Sequence, residues 1–390
     1  MNKGRYVLRQ ILDVVHRETL DRIVKKHKGN YRVKHFTCWH QFVCLVFGQL
    51  THRKSLRDIV LCLNAWENKL YHIGITNGVK RSTLSEANEN RNWKIYYDLA
   101  QHLLDRAREK YKEDNVSSLD LEEEVYAIDS STIDLCMSVY SWANFRSTKS
   151  GIKLHTAINV KTEIPDFVCI TEGKIHDVNI IDLLEIKQYA IYIFDRAYLD
   201  YVRLYRIDSL KSTFVIRAKR NIKYRRITSV KIEKGNSVRC DQTIKLTGAM
   251  TSKRYPKKLR RIKYYVTDLD RTFVFLTNNF VLDAETIAEL YKNRWRVEIF
   301  FKWVKQNLSI KKFWGESENA VRIQIWIGIC TYSMIAIMKK NMRIDKTMYE
   351  TLQILSLAPF DKTPVNQLLS SSNEHKYKDE NSNQLKIWDL

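Results

Sequence analysis

Four polar side chains with regular spacing lie in the last third of the chain: a tyrosine, an arginine, a glutamate and a lysine. Tyr291, Arg294, Glu298 and Lys305 lie in a stretch without glycine or proline that has a helical hydrophobic period. At about 100° per residue, they fall within roughly 60° of one another on a helix. A carboxylate beside two cations and a phenol suits a site where a metal ion and phosphate oxygens meet. The alternative is an exposed face with an ordinary Arg294–Glu298 ion pair.

Two aspartates, Asp129 and Asp195, each follow a short apolar run that predicts a β-strand, residues 125–128 and 190–194. With Glu298 they supply three carboxylates from separate elements, and such a set binds the hard ions Mg²⁺ or Mn²⁺. Two such ions, about 3.5–4 Å apart, support an in-line displacement at a phosphodiester. Either aspartate alone could also be a turn or cap residue.

The composition indicates a polyanionic partner. The chain has 390 residues, a formal net charge of +22 and an isoelectric point near 9.5. The positive charge is spread along the sequence instead of being confined to one amphipathic helix, which favours nucleic acid over a membrane surface. Ribosomal and other merely basic proteins are the alternative, but they rarely contain nine tryptophans. The length and a hydrophobic content of 44% allow two or three domains with real cores.

Cysteine usage and hydropathy indicate a cytoplasmic protein that does not enter a membrane. The seven cysteines are scattered and form no CxxC pair, which argues against a disulfide framework or a zinc finger. Residues 2–9 lead into an amphipathic stretch and not into the apolar run of a signal peptide. The apolar segment 323–338 is shorter than the roughly 18–20 residues of a membrane span, so it predicts a buried helix.

The N-terminal residues 1–115 predict a helical DNA-binding domain. Apolar positions recur at helical spacing, and residues 55–90 contain two short helical patterns around Gly74 and Gly78. This arrangement is compatible with a helix-turn-helix, although any compact helical bundle could show it. Nearby cations favour DNA contact: His52, Arg53, Lys54, Arg57, Lys80 and Arg81.

The pattern changes after the acidic stretch 112–124, where we place a domain boundary. Residues 116–211 predict the order strand, strand, strand, helix, strand, helix, which is a mixed α/β sheet. Residues 281–340 return to helix and carry Glu298 on a helix predicted over 284–308. Residues 341–390 predict a C-terminal helical and polar tail.

Between these two parts, residues 212–280 predict an all-β insertion that is strongly basic. Lys257, Lys258, Arg260 and Arg261 form its densest cluster, and we expect them to follow a DNA phosphate backbone. A solvated charged face is the alternative, but charges of nearly one sign would repel one another without a partner.

The order of elements and the spacing of Tyr291, Arg294, Glu298 and Lys305 resemble the DDE transposases of bacterial insertion sequences. The spacing matches the Y-R-E-K signature of one large group of them, and the flanking LTNN, YKNRW and FFK also fit. The segment FDRAY lacks the glycine that many relatives carry before Tyr198. The resemblance covers residues 125–337 and, more loosely, the N-terminal helices.

The resemblance implies a ribonuclease-H-like catalytic core. AIDSSTIDL supplies the first catalytic aspartate, Asp129, FDRAY supplies the second, Asp195, and Glu298 is the third acid. These three would hold Mg²⁺ or Mn²⁺, two ions in all. The resemblance assigns Tyr291, Arg294 and Lys305 to phosphates beside the scissile bond.

The implied activity is transposition of DNA. A bacterial, nucleoid-associated transposase of this kind binds the terminal inverted repeats of its element. It acts as an endonuclease and then transfers the strand to target DNA, by cut-and-paste through hairpin ends. Trp295 could stack on an unpaired base, with burial in the core as the alternative. A homodimer bridging two transposon ends is implied, and the apolar segment 323–338 and the tail give it modest support.

Two other functions remain compatible with the sequence. One is a non-catalytic, sequence-specific DNA-binding protein derived from a transposase, and the other is a nuclease that hydrolyses DNA without strand transfer. Retention of all three acids argues against the first. His155 and His176 lie outside the acidic set, and we expect them to be structural.

Overall fold

The computed structural model describes residues 4–114, 121–146, 149–233, 235–307 and 313–370. Parts of the predicted acidic boundary (115–120) and of the polar tail (371–390) lie outside the described residues. Contacts divide the chain into two compact units. Among the described residues, the helical unit comprises 4–113, 133–152 and 301–370, and the sheet unit comprises 114, 121–132 and 153–300.

The helices have the following bounds: α1 (Val7–Leu12), α2 (Arg17–Lys26), α3 (Cys38–Leu50), α4 (Leu56–Asn64), α5 (Glu67–Leu70), α6 (Arg81–Asn90), α7 (Lys94–Tyr111), α8 (Tyr201–Ser209), α9 (Ala249–Arg254), α10 (Ala284–Lys292), α11 (Trp295–Asn307), α12 (Glu318–Met342), α13 (Met348–Leu357) and α14 (Val365–Ser370). The strands are β1 (Val125–Leu135), β2 (Asn144–Arg146), β3 (Lys149–Asn159), β4 (Pro165–Glu172), β5 (Ile191–Phe194), β6 (Thr213–Arg217), β7 (Tyr224–Ser229), β8 (Val238–Leu246), β9 (Leu259–Val266) and β10 (Arg271–Thr277).

The helical unit is built around α12, which packs against α3, α6 and α7. The helix starts at Ser317, whose side chain accepts a hydrogen bond from the Ala320 amide. It is long and apolar enough to cross a membrane, yet nearly all of its apolar stretch is buried inside the protein. The prediction of a buried helix at 323–338 is therefore confirmed. Because the apolar surface of α12 is buried in the core of its own unit, it gives no support to a dimer interface.

The two helices of the predicted helix-turn-helix are not joined by a short turn. The helices α4 and α6 are separated by α5 and a 3₁₀ turn, Tyr71–Ile73. Gly74 then adopts a positive φ of 87°. The side chain of Asn64, at the end of α4, holds Val79 before α6 through two hydrogen bonds of 2.9 Å.

The sheet unit contains a mixed sheet with strand order β3-β1-β5-β6-β10-β9-β8-β7, and β4 also pairs with β3. Strands β1, β5 and β6 are parallel neighbours, whereas β10, β9, β8 and β7 continue the sheet in antiparallel fashion. All four residues of β5 are buried, as expected for a central strand of the parallel part. Helices flank this sheet, so the predicted mixed α/β fold class is confirmed.

The basic stretch 212–280 is not an independent all-β insertion, in contrast to the prediction. β6 belongs to the parallel core, β7 to β10 extend the same sheet, and the stretch includes the short helix α9. The hydrophobic core is continuous as well, because Phe194 of β5 and Ile244 of β8 belong to one buried cluster. The unit boundary also differs from the predicted domain boundary, since residues 301–340 belong to the helical unit.

One buried ion pair links the strands of the extended sheet. Arg260 of β9 donates to both carboxylate oxygens of Asp241 of β8, at 2.9 and 2.7 Å. It also donates to the carbonyl oxygens of Asn279 and Leu282, which follow β10. Both charged side chains are 10% exposed. Arg260 therefore holds the sheet and the following loop together and is not available to DNA.

Replacing Arg260 by glutamine should strongly destabilise the protein, because Asp241 would remain buried without its cation. We expect Arg260→Gln to lower the free energy of unfolding by about 3–5 kcal/mol, measured by urea denaturation. The matched control is Lys258→Gln, which removes an exposed cation two residues away and should change stability by no more than about 0.5 kcal/mol. A loss below about 1 kcal/mol for Arg260→Gln would mean that the pair behaves like a surface ion pair.

Candidate active site

The parallel pairing of β1 and β5 places Asp129 and Asp195 side by side. Ile128 pairs with Phe194 at the end of the ladder, and each aspartate is the next residue. Neighbouring strands lie about 4.8 Å apart, so the two side chains start from adjacent positions. β1 continues to Leu135, which corrects the prediction that the strand ends at Asp129. Asp195 leaves its strand, as predicted, and precedes a 3₁₀ turn.

The helix predicted over 284–308 is two helices, α10 and α11, interrupted at Asn293 and Arg294. The amide of Arg294 donates to the Tyr291 carbonyl and that of Val297 to the Arg294 carbonyl, which are i to i+3 bonds of a tight turn. The Asn293 side chain bonds the Glu289 carbonyl and accepts from Arg296. Asparagine side chains compete in this way with helical backbone bonds, so Asn293 was the sequence feature that could have revealed the break.

Arg294 joins two of the three acids. Its guanidinium donates to Asp129 Oδ2 at 2.7 Å and, through the other terminal nitrogen, to Glu298. The arginine side chain is 8% exposed, whereas Asp129 and Glu298 are 20% and 23% exposed. One buried cation therefore lies between two carboxylates that come from β1 and α11.

Tyr291 brings the third acid into the same network. Its hydroxyl donates to Asp195 Oδ1 at 3.4 Å, and its ring packs against Phe275 with centroids 4.7 Å apart. The Arg294 guanidinium lies 5.8 Å from the centre of that ring. Burial raises the pKa of Tyr291 to about 12, so its hydroxyl stays protonated and can donate at neutral pH.

Asp129, Asp195 and Glu298 are three carboxylates in a partly buried site, where a negative charge is costly. Burial raises the pKa of Asp129 to about 7, while Arg294 and the Ser130 amide act in the opposite direction. The charges of Glu298 and Asp195 raise it further. Burial lowers the pKa of Arg294, but Tyr291 and the three acids raise it more, so the guanidinium stays charged. The three carboxylates thus influence one another electrostatically.

This donor set fits a hard divalent cation, because it consists of carboxylates that share a single buried positive charge. Among the described residues, however, no three His, Cys, Asp or Glu side chains are close enough to hold an ion together. Arg294 lies between Asp129 and Glu298 instead.

Trp295 and Lys305 both lie on α11, in different units of the chain. Trp295 is half-buried at the start of α11, with the Arg296 guanidinium 6.0 Å from its ring centre. Lys305 is half-buried in the part of α11 that belongs to the helical unit.

His155 is fully buried and bonds Thr171 at 2.8 Å, and burial lowers its pKa to about 4. His155 is thus a neutral core residue, whereas His176 is exposed.

A basic cleft of about 900 Å³ begins at Asp195 and runs over β6, β10 and β9, and we call it the Asp195 cleft. Among the described residues that line it, Asp195 is the one acid and six are cations: Arg196, Arg217, Lys219, Arg220, Arg261 and Lys263. Tyr224 is the aromatic residue of the lining, and Arg261 lies 5.2 Å from its ring centre. The sequence placed most of these cations in a basic block, but it could not show that they share a cleft with a predicted catalytic aspartate.

The predicted basic cluster does not form one surface. Arg260 is buried, and Lys257 pairs with Asp208 at 2.9 Å. Lys258 is exposed, and Arg261 faces the Asp195 cleft. The cause is the alternation of side chains along β9, which sends the neighbours Arg260 and Arg261 to opposite faces.

A second basic cleft, of about 840 Å³, lies in the helical unit, and we call it the N-terminal cleft. Its wall is the loop between α2 and α3, where Lys28 and Arg32 have positive φ values of 53° and 56°. Arg91 fixes this loop by donating to the Phe36 and Thr37 carbonyls. Within the described part of the chain, the cleft is lined by the cations Lys28, Arg32, Lys34, Lys80 and Arg91 and by one acid, Glu86.

Comparison with protein families gives two matches. The model of the transposase DDE domain matches residues 120–334, which contain Asp129, Asp195 and Glu298. A domain of unknown function, DUF4372, matches residues 3–76, which contain the loop between α2 and α3.

The similar proteins are named as transposases. A Sinorhizobium fredii protein named as a transposase is 32% identical over 242 residues, covering 61% of this chain and 67% of its own. A Geobacillus stearothermophilus protein, named as the transposase of insertion sequence element IS5377, is 31% identical over 268 residues, covering 68% and 69%. A solved piggyBac transposase synaptic complex with hairpin DNA aligns with 94% of this chain and 80% of its own, at 11% identity and a TM-score of 0.47.

Proposed function

Because the chain belongs to the DDE transposase family, we propose that it cleaves the ends of a DNA element and joins them to target DNA, with Asp129, Asp195 and Glu298 as its catalytic acids. The observation that carries this proposal is the network in which Arg294 bridges Asp129 and Glu298 while Tyr291 contacts Asp195. The same three acids serve cleavage and strand transfer, since both reactions are displacements at a phosphodiester.

The three acids would hold Mg²⁺ or Mn²⁺, two ions in all. Bound there, the ions would activate the attacking oxygen and stabilise the leaving oxygen. The protein's own contribution is to position the phosphate and neutralise its charge.

Arg294 and Tyr291 are suited to the phosphate beside the scissile bond. Arg294 remains charged, and its buried Nε has no acceptor among the described residues. Its two terminal nitrogens contact Asp129 and Glu298, and a guanidinium of this kind can exchange carboxylate oxygens for phosphate oxygens. The protonated Tyr291 hydroxyl adds a neutral donor. In this proposal Lys305 contacts a phosphate and Trp295 stacks on an unpaired base of a hairpin end.

Replacing any one acid by its amide should abolish cleavage while leaving DNA binding in place. Asp129→Asn, Asp195→Asn and Glu298→Gln each remove one charged oxygen ligand with little change in shape, so we expect losses of several orders of magnitude. The measurement is cleavage of a duplex bearing the terminal repeat, in Mg²⁺, beside binding by mobility shift. Glu285→Gln, an exposed acid on α10, is the control and should cleave normally. A single amide variant that retains the wild-type rate would remove that residue from the site.

The Asp195 cleft is the surface that we assign to the DNA backbone near the reacting phosphate. Six cations around one catalytic acid attract a polyanion, and phosphate contacts position DNA without reading its sequence. This assignment replaces the cluster of Lys257, Lys258, Arg260 and Arg261, of which only Arg261 lines the cleft.

Removing cleft cations should flatten the salt dependence of DNA binding. Lys219, Arg220 and Lys263 are exposed and line the cleft, so their triple replacement by glutamine should reduce the slope of log K against log salt by up to about 3. Binding to terminal-repeat and random duplexes should weaken alike. The control is the double variant Lys257→Gln and Lys258→Gln, which should change the slope less. Equal effects of the two variants would argue against the cleft as the DNA track.

We assign end binding to residues 1–115, and within them to the N-terminal cleft. The loop that presents Lys28, Arg32 and Lys34 is fixed by Arg91 and by the Asn30 side chain, which accepts from the Cys38 amide at 2.8 Å. Its cations are therefore presented on a rigid support. The Arg32 guanidinium lies 5.2 Å from the centre of the exposed Tyr31 ring, and such an aromatic–cation pair also suits contact with a base.

The triple replacement of Lys28, Arg32 and Lys34 by glutamine should weaken binding of the terminal-repeat duplex roughly tenfold or more at moderate salt. Cleavage at saturating protein should persist, because the catalytic acids are untouched. Fluorescence anisotropy measures the binding. Lys94, Lys110 and Lys112 are exposed cations of the same unit outside the cleft, and their replacement by glutamine is the control. Unchanged affinity in the cleft variant would place end binding elsewhere.

The remaining parts of the proposal follow from the family alone. They are a cytoplasmic homodimer that holds two ends, hairpin intermediates, and recognition of terminal inverted repeats. Cleavage of one end that requires a second end would support the dimer, whereas efficient cleavage by a monomer would exclude it. Cleavage without joined products would instead favour a hydrolytic nuclease, and binding without cleavage would favour a non-catalytic relative.

A further inference from the structure

The helix α6 turns one polar face toward the N-terminal cleft. Thr83, Glu86 and Asn90 line that cleft, and their spacing of three and four residues places them on one side of the helix. Glu86 and Asn90 are exposed. Within the part of the chain that the structure describes, the three side chains have no hydrogen-bond or ion-pair partner. They are therefore available to a ligand that enters the cleft.

The other side of α6 fixes the helix in its unit. Leu84, Ala87 and Asn88 are buried, and α6 packs against α4 and α12. The Gln41 side chain of α3 donates a hydrogen bond to the side-chain oxygen of Asn88 at 2.7 Å. The Asn319 side chain of α12 donates to the Asn88 carbonyl at 2.8 Å. Because neighbouring helices hold the buried side, the polar face has a fixed position, as the reading of base edges requires.

Glu86 is the unexpected member of this face. Among the described residues that line the N-terminal cleft it is the one acid, against five cations. A carboxylate repels the phosphates of every DNA sequence, so it lowers the affinity for DNA in general. Its place in a DNA-binding cleft is explained by selection among bases, because in the major groove a carboxylate accepts a hydrogen bond from the N4 amino group of cytosine.

Asn90 and Thr83 are also residue types that distinguish bases. An asparagine amide pairs with N6 and N7 of adenine through two hydrogen bonds, and a threonine methyl group contacts the methyl group of thymine. The ten residues of α6 span about 15 Å, and the major groove, about 12 Å wide, admits an α-helix. The polar face of α6 thus combines three side chains with different base preferences.

The loop between α2 and α3 supplies contacts of the complementary kind. It presents Lys28, Arg32 and Lys34 to the same cleft, and Lys80 lies directly before α6. Phosphate contacts position DNA, whereas base contacts specify its sequence. A duplex bound at the cleft would have its backbone at these cations and its base edges at α6.

We propose that α6 is the helix that reads the sequence of the element's ends, with Glu86 bound to a cytosine and Asn90 to an adenine in the major groove and Thr83 beside them. This inference rests on the proposed function, in which the N-terminal cleft binds the ends. It also gives a role to the second helix of the predicted helix-turn-helix, although no short turn joins that helix to α4.

The test measures how well the full-length chain distinguishes the terminal-repeat duplex from a random duplex of the same length. Fluorescence anisotropy gives both affinities for the wild type, Glu86→Gln and Asn90→Ala. Loss of one base contact should reduce the ratio of the two affinities by about 5–150-fold. Glu86→Gln should also bind the random duplex at least as tightly as the wild type does, because a charge that repels phosphates has been removed.

A scan of the repeat, with each base pair replaced in turn, identifies the base that each side chain reads. Glu86→Gln should lose its sensitivity to one C·G pair and Asn90→Ala to one A·T pair, while both keep the wild-type response elsewhere. A variant that is merely unstable would instead weaken binding to all duplexes alike.

The matched control is Glu89→Gln, which removes an exposed acid of α6 that does not line the cleft. It makes the same change in charge and should leave the affinity ratio unchanged. Equal loss of discrimination in Glu86→Gln and Glu89→Gln would overturn the inference. So would a wild-type base scan in both cleft variants of α6, and this alone would fail if the triple variant of Lys28, Arg32 and Lys34 still weakens end binding. If that triple variant also binds normally, the assignment of end binding to the cleft fails as well.

Discussion

The geometry of the candidate active site depends on one buried cation, Arg294, which binds Asp129 and Glu298 at the same time. Asp129 lies on a central strand and Glu298 on a helix, so the guanidinium also fixes the helix against the sheet edge where Asp195 lies. Burial, with a smaller contribution from the charges of Glu298 and Asp195, raises the pKa of Asp129 to about 7. A cation between them offsets this cost, and Arg294 supplies it.

The break between α10 and α11 makes that arrangement possible. In a continuous helix, Tyr291, Arg294 and Glu298 would project from one face along a common axis. The turn at Asn293 places Tyr291 near the end of α10 and Glu298 in α11, with Arg294 between the two helices. Tyr291 then reaches Asp195 while Arg294 reaches the other two acids. The site thus uses local backbone irregularity, and the cost is offset by side-chain bonds from Asn293.

The cations of the chain have different roles, which depend on the face of the sheet where each one lies. On β9, Arg260 points into the protein and binds Asp241, whereas Arg261 lines the cleft that begins at Asp195. A net charge of +22 therefore overstates the charge available to DNA, because some cations hold strands and loops together. The cations that remain in the Asp195 cleft lie next to Asp195, and in the proposed function they hold a polyanion close to carboxylates that repel it.

The sequence by itself determined the mixed α/β class and the buried nature of α12, because both are encoded by residue type and local periodicity. The three acids and the side chains assigned to phosphate remain predictions that rest on residue type and spacing. Only the tertiary structure decided that the helix predicted over 284–308 is interrupted and that Arg260 is buried. These features depend on contacts between distant segments, as in the Arg294–Asp129 pair, which is separated by 165 positions. Local periodicity says which face of an element is apolar, but the partner of a buried polar group is chosen only when the segments pack together.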